Sequence, residues 1–287
     1  MPTQVRIDRS AVTRWNVTFD NPPMNLIDPG TIRELVALVT ELETDPDVRV
    51  VVFDSADPDF FLAHYDISRD PSETTSMPAD GPTGMHPWLD FLVRISNAPV
   101  ASIVKLRGRA RGAGSEFVLA CDMRFASRER AVLAQLEVGL GLVAGGDPMH
   151  RLPFIVGRGR ALEIMLTSQD FDGELAERYG YVNRALPDAE LDDFVDRIAD
   201  RIASFDKIAL AETKRCVGDV SLPDPALMPP VLDEFWASVA REGAQRRLGK
   251  ALEPRPAATN RPGAEHGRLP GPRVLAQLTS RGTARTS

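Results

Sequence analysis

The sequence predicts an α/β fold, and three observations carry that expectation. Two β-branched runs, residues 48–53 and 99–104, stand between stretches of helical periodicity. The second run feeds a glycine-punctuated turn that opens into an apolar helix, Gly108 to Asp122. Units of strand, turn and helix then recur along the chain, which is the pattern of an α/β core.

The elements follow in order. Residues 5–21 alternate enough for two short strands, joined near Asp8-Arg9-Ser10. From Pro29 the pattern turns helical, with Ile32, Leu35, Val36, Val39 and Leu42 on one face. Residues 48–53 read as a buried strand. Residues 68–87, rich in Pro, Ser, Thr, Asp and Gly, read as a long loop, either a lid or partly disordered. A short helix at 88–95 and a buried strand at 99–104 lead to the glycine turn. Helices are expected at 160–166, 173–179, 208–217 and 231–252, and Leu191, Phe194, Val195, Ile198 and Ile202 form one more helical stripe. Beyond Glu253 the composition shifts to Pro, Gly, Arg and Thr, so 254–287 reads as a disordered, positively biased tail.

Composition narrows the function classes. At 287 residues the chain can bury a sizeable core, and 43% hydrophobic with 26% charged residues is ordinary for a globular protein. A net charge of −7 argues against nucleic acid or an anionic membrane as partner. No apolar run approaches the roughly 18 residues that span a bilayer. Two cysteines, Cys121 and Cys216, are too few for a disulfide framework and, with no signal peptide evident, fit a reducing cytoplasm. The four histidines and two cysteines show no metal-ligand spacing. There is no Gly-x-Ser-x-Gly nucleophile elbow.

The segment from Gly108 to Asp122 carries the chemistry. A helix start presents unpaired N–H groups and the positive end of the helix dipole. Such an end can hold an oxyanion. Glu116, in the first turn, would repel an anion and is better suited to move a proton. A second carboxylate, Glu137, follows in Gln135-Leu136-Glu137. An oxyanion site with two carboxylates suits acid–base chemistry beside a carbonyl. Taken singly, Glu116 could be an ordinary dipole-stabilising glutamate and Glu137 a solvated acid.

These residues also carry a resemblance. The chain resembles the crotonase superfamily, the enoyl-CoA hydratase/isomerase family, from about Val5 to about Glu253. Asn21-Pro22-Pro23-Met24-Asn25-Leu26 is similar to the family's first turn. Residues 48–53 followed by Phe61-Leu62-Ala63-His64-Tyr65-Asp66-Ile67 are similar to its strand and first oxyanion loop. Residues 99–122 resemble the second oxyanion loop and helix. Gln135-Leu136-Glu137, Gly141-Leu142-Val143, Arg151-Leu152-Pro153 and Gly180-Tyr181-Val182-Asn183 resemble the later blocks.

The resemblance implies a crotonase-like fold of repeated β-β-α units over 1–253, with about 190–253 as its helical C-terminal region. It implies Glu116 and Glu137 as the catalytic pair and the backbone N–H groups of Tyr65 and Ala113 as the oxyanion hole. Asn25, Leu26, Ala63, His64, Asp66 and Ile67 match positions at its CoA site. The implied reaction is hydration of a 2-enoyl-CoA to a 3-hydroxyacyl-CoA, with no cofactor and no metal, in a homotrimer or dimer of trimers. Three departures stand out. His64 and Ala113 replace usual glycines, and Gly145-Gly146-Asp147-Pro148-Met149-His150 leaves the family pattern. His64 and Asp147 motivate an alternative, isomerisation or hydrolysis of a CoA thioester. Ala113 is expected to keep the hole, because a helix start needs no positive φ.

Two further signals point elsewhere. Gly139-Leu140-Gly141-Leu142-Val143-Ala144 matches a dinucleotide fingerprint but lacks the strand and helix that motif requires. Arg107, Arg109 and Arg111, with the basic tail, suggest an RNA-binding, non-catalytic relative, or else a CoA-phosphate contact or a solvated face.

Overall fold

A computed structural model describes residues 3–252. The tail expected at 254–287 therefore lies outside the described residues. The chain runs β1 (Val5–Ala11), β2 (Arg14–Phe19), α1 (Pro29–Thr44), β3 (Val50–Ser55), β4 (Phe60–Leu62), α2 (Ser72–Thr75), α3 (Pro87–Asn97), β5 (Ala101–Leu106), β6 (Arg109–Arg111) and α4 (Ala113–Ala120). It continues through β7 (Met123–Ser127), β8 (Val132–Ala134), α5 (Pro148–Val156), α6 (Arg158–Thr167), β9 (Phe171–Asp172), α7 (Gly173–Tyr179) and β10 (Arg184–Leu186). Four helices close it: α8 (Asp188–Ala203), α9 (Lys207–Ser221), α10 (Met228–Val239) and α11 (Glu242–Leu252).

Two sheets result. The six-stranded sheet has the order β1-β2-β3-β5-β7-β10, antiparallel only between β1 and β2. The four-stranded sheet has the order β4-β6-β8-β9, and its first three strands are parallel. Parallel strands align their carboxyl ends, so the loops leaving β4, β6 and β8 emerge at one edge. Those loops carry Tyr65, Ala113 and Glu137. Ligands of open parallel sheets bind beyond such strand ends.

The helix that carries Glu116 is fixed from behind. Phe117, fully buried on α4, packs against Phe19, Phe53 and Phe91 at ring separations of 5.3, 5.0 and 5.7 Å. Aromatic pairs of this kind add about 0.5–1.5 kcal/mol each beyond the area they bury. Ser115 bonds the Tyr181 hydroxyl and accepts from Gln135 Nε2 at 3.0 Å, tying α4 to the segment leaving β8.

Four sequence expectations need correction. The first hairpin turns after Ala11, not at Asp8-Arg9-Ser10. There, Asp8 accepts the Ser10 N–H at 2.9 Å, and the strand register shifts between Asp8 and Ala11 without a chain reversal. Residues 231–252 form two helices, because α10 ends at Val239 and α11 starts at Glu242. The glycine-rich stretch after Glu137 gives way to an unforeseen helix, α5, which Pro148 starts at a position where its missing N–H costs nothing. The loop at 68–87 contains the short helix α2.

Candidate active site

A cavity of about 120 Å³ opens at the shared edge of β4, β6 and β8. His64, Tyr65, Ile67, Ala113, Glu116 and Glu137 all line it. The remaining wall is mostly apolar and includes Ile27, Leu136, Leu140 and Leu142. Leu232, Phe235 and Trp236 of α10 close one side.

The two candidate N–H donors arise for different local reasons. Ala113 is the first residue of α4, so its N–H has no acceptor within the helix. Its φ is not positive; the left-handed residue is Gly112, at φ 50°. A Cβ at Gly112 would lie 2.8 Å from Glu137 Oε1, so this turn takes glycine for both backbone and space. Tyr65 sits in a single parallel bridge with Ile27. The Ile27 N–H donates to His64 O and the Asp66 N–H donates to Ile27 O, each at 2.9 Å. The Tyr65 N–H between them donates no hydrogen bond among the described residues.

The carboxylates differ in how they are held. Glu116, 3% exposed, accepts the Gly146 N–H on Oε1 at 2.8 Å and the Trp88 indole N–H on Oε2 at 3.0 Å. Glu137 is also buried, and its Oε2 has no partner among the described residues. Burial pushes the Glu116 carboxyl up to about 7, against its two donors. Burial and the adjacent Glu116 charge push Glu137 up to about 8. Two such close acids titrate as a pair.

His64 donates its Nδ1–H to the Tyr65 carbonyl at 2.6 Å, since a carbonyl can only accept. That bond fixes the neutral tautomer, and burial lowers the ring's proton affinity. Asp147 is fully buried and bonds His150. It does not line the cavity, so His64 and Asp147, which motivated the alternative chemistry, are not brought together there.

The proposed CoA positions divide. His64 and Ile67 face the cavity. Asn25 does not; its buried amide donates to Ser55 Oγ at 2.8 Å and to Phe60 O and Phe61 O at 3.2 Å each. Its carboxamide oxygen accepts the Asn21 N–H at 2.7 Å. These bonds occupy the side chain in shaping the loop after β4. Ala63 and Leu26 pack in a small cluster with Met24 and Phe60. Asp66 accepts from Ser68 N and Oγ at 3.0 and 2.6 Å.

The arginines are engaged as well. Arg107 pairs with Asp188 and Asp192, and buried Arg111 pairs with Asp170. Arg109 lies over the Phe60 ring at 5.6 Å. None of the three is exposed. Of the dinucleotide-like run, Gly139 and Leu140 belong to a 3₁₀ turn, Val138–Leu140, that Gly141 ends.

Sequence reasoning missed Trp88, Gly146, Thr74, His86 and the α10 side chains. Tyr65 OH bonds Thr74 Oγ1, and His86 accepts the Trp88 N–H at 3.2 Å while donating to Thr74 O at 3.0 Å. The run containing Gly146 stood out only as a departure from pattern. Trp88 gave no signal, because its partner lies 28 positions away.

Comparison with known proteins follows the same direction. The enoyl-CoA hydratase/isomerase family model matches residues 11–221. An (E)-benzylidenesuccinyl-CoA hydratase of Thauera aromatica is 31% identical over 69% of this chain and 76% of its own. A crotonyl-CoA hydratase of Syntrophomonas wolfei is 29% identical over 84% of this chain and 92% of its own. The crystal structure of a candidate enoyl-CoA hydratase from Streptomyces avermitilis superposes with a TM-score of 0.82 at 48% identity, covering 86% of this chain and 89% of that one.

Proposed function

This chain belongs to the enoyl-CoA hydratase/isomerase family, and from that premise we propose that it adds water across the double bond of a 2-enoyl-CoA to give a 3-hydroxyacyl-CoA. One observation carries the reading: two N–H groups without a partner among the described residues and two buried carboxylates line one largely apolar cavity.

The thioester oxygen accepts from the Tyr65 and Ala113 N–H groups. These bonds strengthen as negative charge moves onto that oxygen, so they stabilise the enolate more than the substrate. Glu116 takes a proton from water as the oxygen attacks the β-carbon. Glu137 gives a proton to the α-carbon. Water is added and no electrons are exchanged, so the reaction calls for no redox cofactor. Ile67 and His64 border the bound thioester. Asn25, Leu26, Ala63 and Asp66 shape the loop that CoA would cross.

Residues 1–253 are proposed to act as one crotonase-like domain, assembled as a homotrimer or dimer of trimers. Supporting this, α9 buries none of its residues and leaves Ile208, Val217 and Val220 exposed. Mass measurement in solution tests it. Among the described residues no helix is long and apolar enough to cross a membrane. A cytoplasmic site is proposed on the free thiols Cys121 and Cys216.

The test is turnover of a panel of 2-enoyl-CoAs by wild type, Glu116→Gln and Glu137→Gln. General acid–base catalysis contributes ~10²–10⁴-fold, so each variant should lose that much turnover and keep CoA affinity. Activity within a few-fold of wild type in either variant rejects the assignment.

A further inference from the structure

We propose that Trp88 is a positioning residue: its indole N–H, together with the Gly146 N–H, holds Glu116 ionised and turned toward water, while Glu137, given no such donor on Oε2, keeps the proton. This rests on the hydration reading above.

Hydrogen bonds from donors favour the charged form of a carboxylate. Glu116 receives one donor on each oxygen, from Gly146 at 2.8 Å and from Trp88 at 3.0 Å. Glu137 Oε2 receives none among the described residues, and the backbone N–H groups of Leu136 and Glu137 only partly offset the burial of its carboxyl. Two acids within reach of each other cannot both ionise cheaply in a buried site, so the donors decide which one does. A base must be ionised and an acid protonated before the reaction begins. The asymmetry therefore assigns the roles in the resting enzyme.

Trp88 is well placed to be rigid. It lies at the start of α3, is 7% exposed, and stacks on Phe91 at 6.1 Å. Its own backbone N–H is held by the His86 ring at 3.2 Å. The same residue lines the cavity, so its ring shapes the acyl space while its N–H faces the carboxylate.

Other groups around Glu116 are Glu137 beyond β8, Asp147 and Arg151 of the α5 region, His86 before α3 and His64 after β4. Asp147 opposes ionisation of Glu116 and Arg151 favours it. None of them is hydrogen-bonded to Glu116 among the described residues. Trp88 and Gly146 are the donors that do.

The experiment has two arms. Trp88→Phe, and replacement of Trp88 by benzothienylalanine, in which sulfur stands for the N–H, are compared with wild type over a pH range. Losing one bond to a charged group should raise the acidic limb of kcat/KM by about one pH unit and lower kcat about tenfold. The benzothienyl variant should keep KM, because the ring shape is preserved. An unmoved limb in both variants overturns the proposal, even if Glu116→Gln is inactive and the hydration reading stands.

The second arm needs no turnover. The chain has three tryptophans, so Trp15→Phe with Trp236→Phe leaves Trp88 as the one emitter. Its fluorescence should change with pH as Glu116 titrates, and Glu116→Gln should remove that change. A pH-dependent change of the same size in wild type and in Glu116→Gln rejects the contact, because any titration of the neighbouring His86 is common to both.

Discussion

The Gly146 N–H donates to Glu116 Oε1 at 2.8 Å, and a Cβ on Gly146 would lie 2.0 Å from Glu116 Oε2. The loop before α5 thus touches the carboxylate on both oxygens' side and leaves no room for a side chain. Gly146 itself does not have positive φ, so space and not backbone freedom requires glycine here.

Gly146→Ala should accordingly displace Glu116 while the fold survives. Overpacking of this kind costs about 1–3 kcal/mol of stability. Turnover should fall by about 10²-fold, because a displacement of order 1 Å at a reacting group costs that much. Steady-state kinetics and a melting curve on the same preparation check it. A variant as active as wild type would show that Glu116 need not sit where it does.

Asn25 supplies the next expectation. It is buried, left-handed at φ 52°, and gives its amide protons to Ser55, Phe60 and Phe61. Asn25→Ala leaves buried carbonyls short of a donor and puts a less tolerant residue in the left-handed region. The cost should be roughly 2–4 kcal/mol. Because Phe60 and Phe61 lead to Tyr65, kcat should fall too. Denaturant unfolding and kinetics test the pair of effects, and a variant unchanged in both would return Asn25 to the role of ligand contact.

The carboxylate pair predicts an unusual pH dependence of stability. Burial raises Glu137 from 4.5 to about 8. The folded protein then holds a proton that the unfolded chain has already released. Such a group contributes stability that is complete below about pH 4.5 and is lost as pH rises toward 8. Glu137→Gln stays neutral throughout. It should match wild type near pH 4.5 and exceed it by roughly 1–3 kcal/mol near pH 8.5. Urea midpoints at the two pH values decide it; wild type equal to the variant at both would mean that Glu137 ionises freely.

How much of this was legible in the sequence depends on range. The strands at 48–53 and 99–104 and the helix from Ala113 are set by local pattern, and they appear within two residues of the expected bounds. Of the helical stripe Leu191, Phe194, Val195, Ile198 and Ile202, Leu191 and Val195 are buried and the other three are partly buried against the same cluster. The end of α10 at Val239 was not visible, because 231–252 stays helical in composition across the break. Asn25 was read by position as a ligand neighbour, whereas its bonds run to Ser55 and Phe61, which no local signal reveals. Arg107 and Arg111 looked like free cations because Asp188, Asp192 and Asp170 are distant in the chain.

His64 gives the last expectation. Its ring stands where the family resemblance calls for glycine, and it borders the cavity next to a proposed oxyanion donor. A proton-transferring imidazole would impose a limb near the ordinary histidine pKa of about 6.5. The structure argues against that. The Nδ1–H is spent on the Tyr65 carbonyl at 2.6 Å, and burial lowers the ring's proton affinity, so it stays neutral at pH 7. The bond also constrains the loop at the residue whose N–H meets the thioester oxygen. His64→Gly should therefore keep kcat within about threefold and leave the pH profile in place, since general acid–base loss would instead cost ~10²–10⁴-fold. KM should rise modestly as the loop loosens. A near-complete loss of turnover with CoA binding intact would make the ring a participant and favour the alternative thioester chemistry.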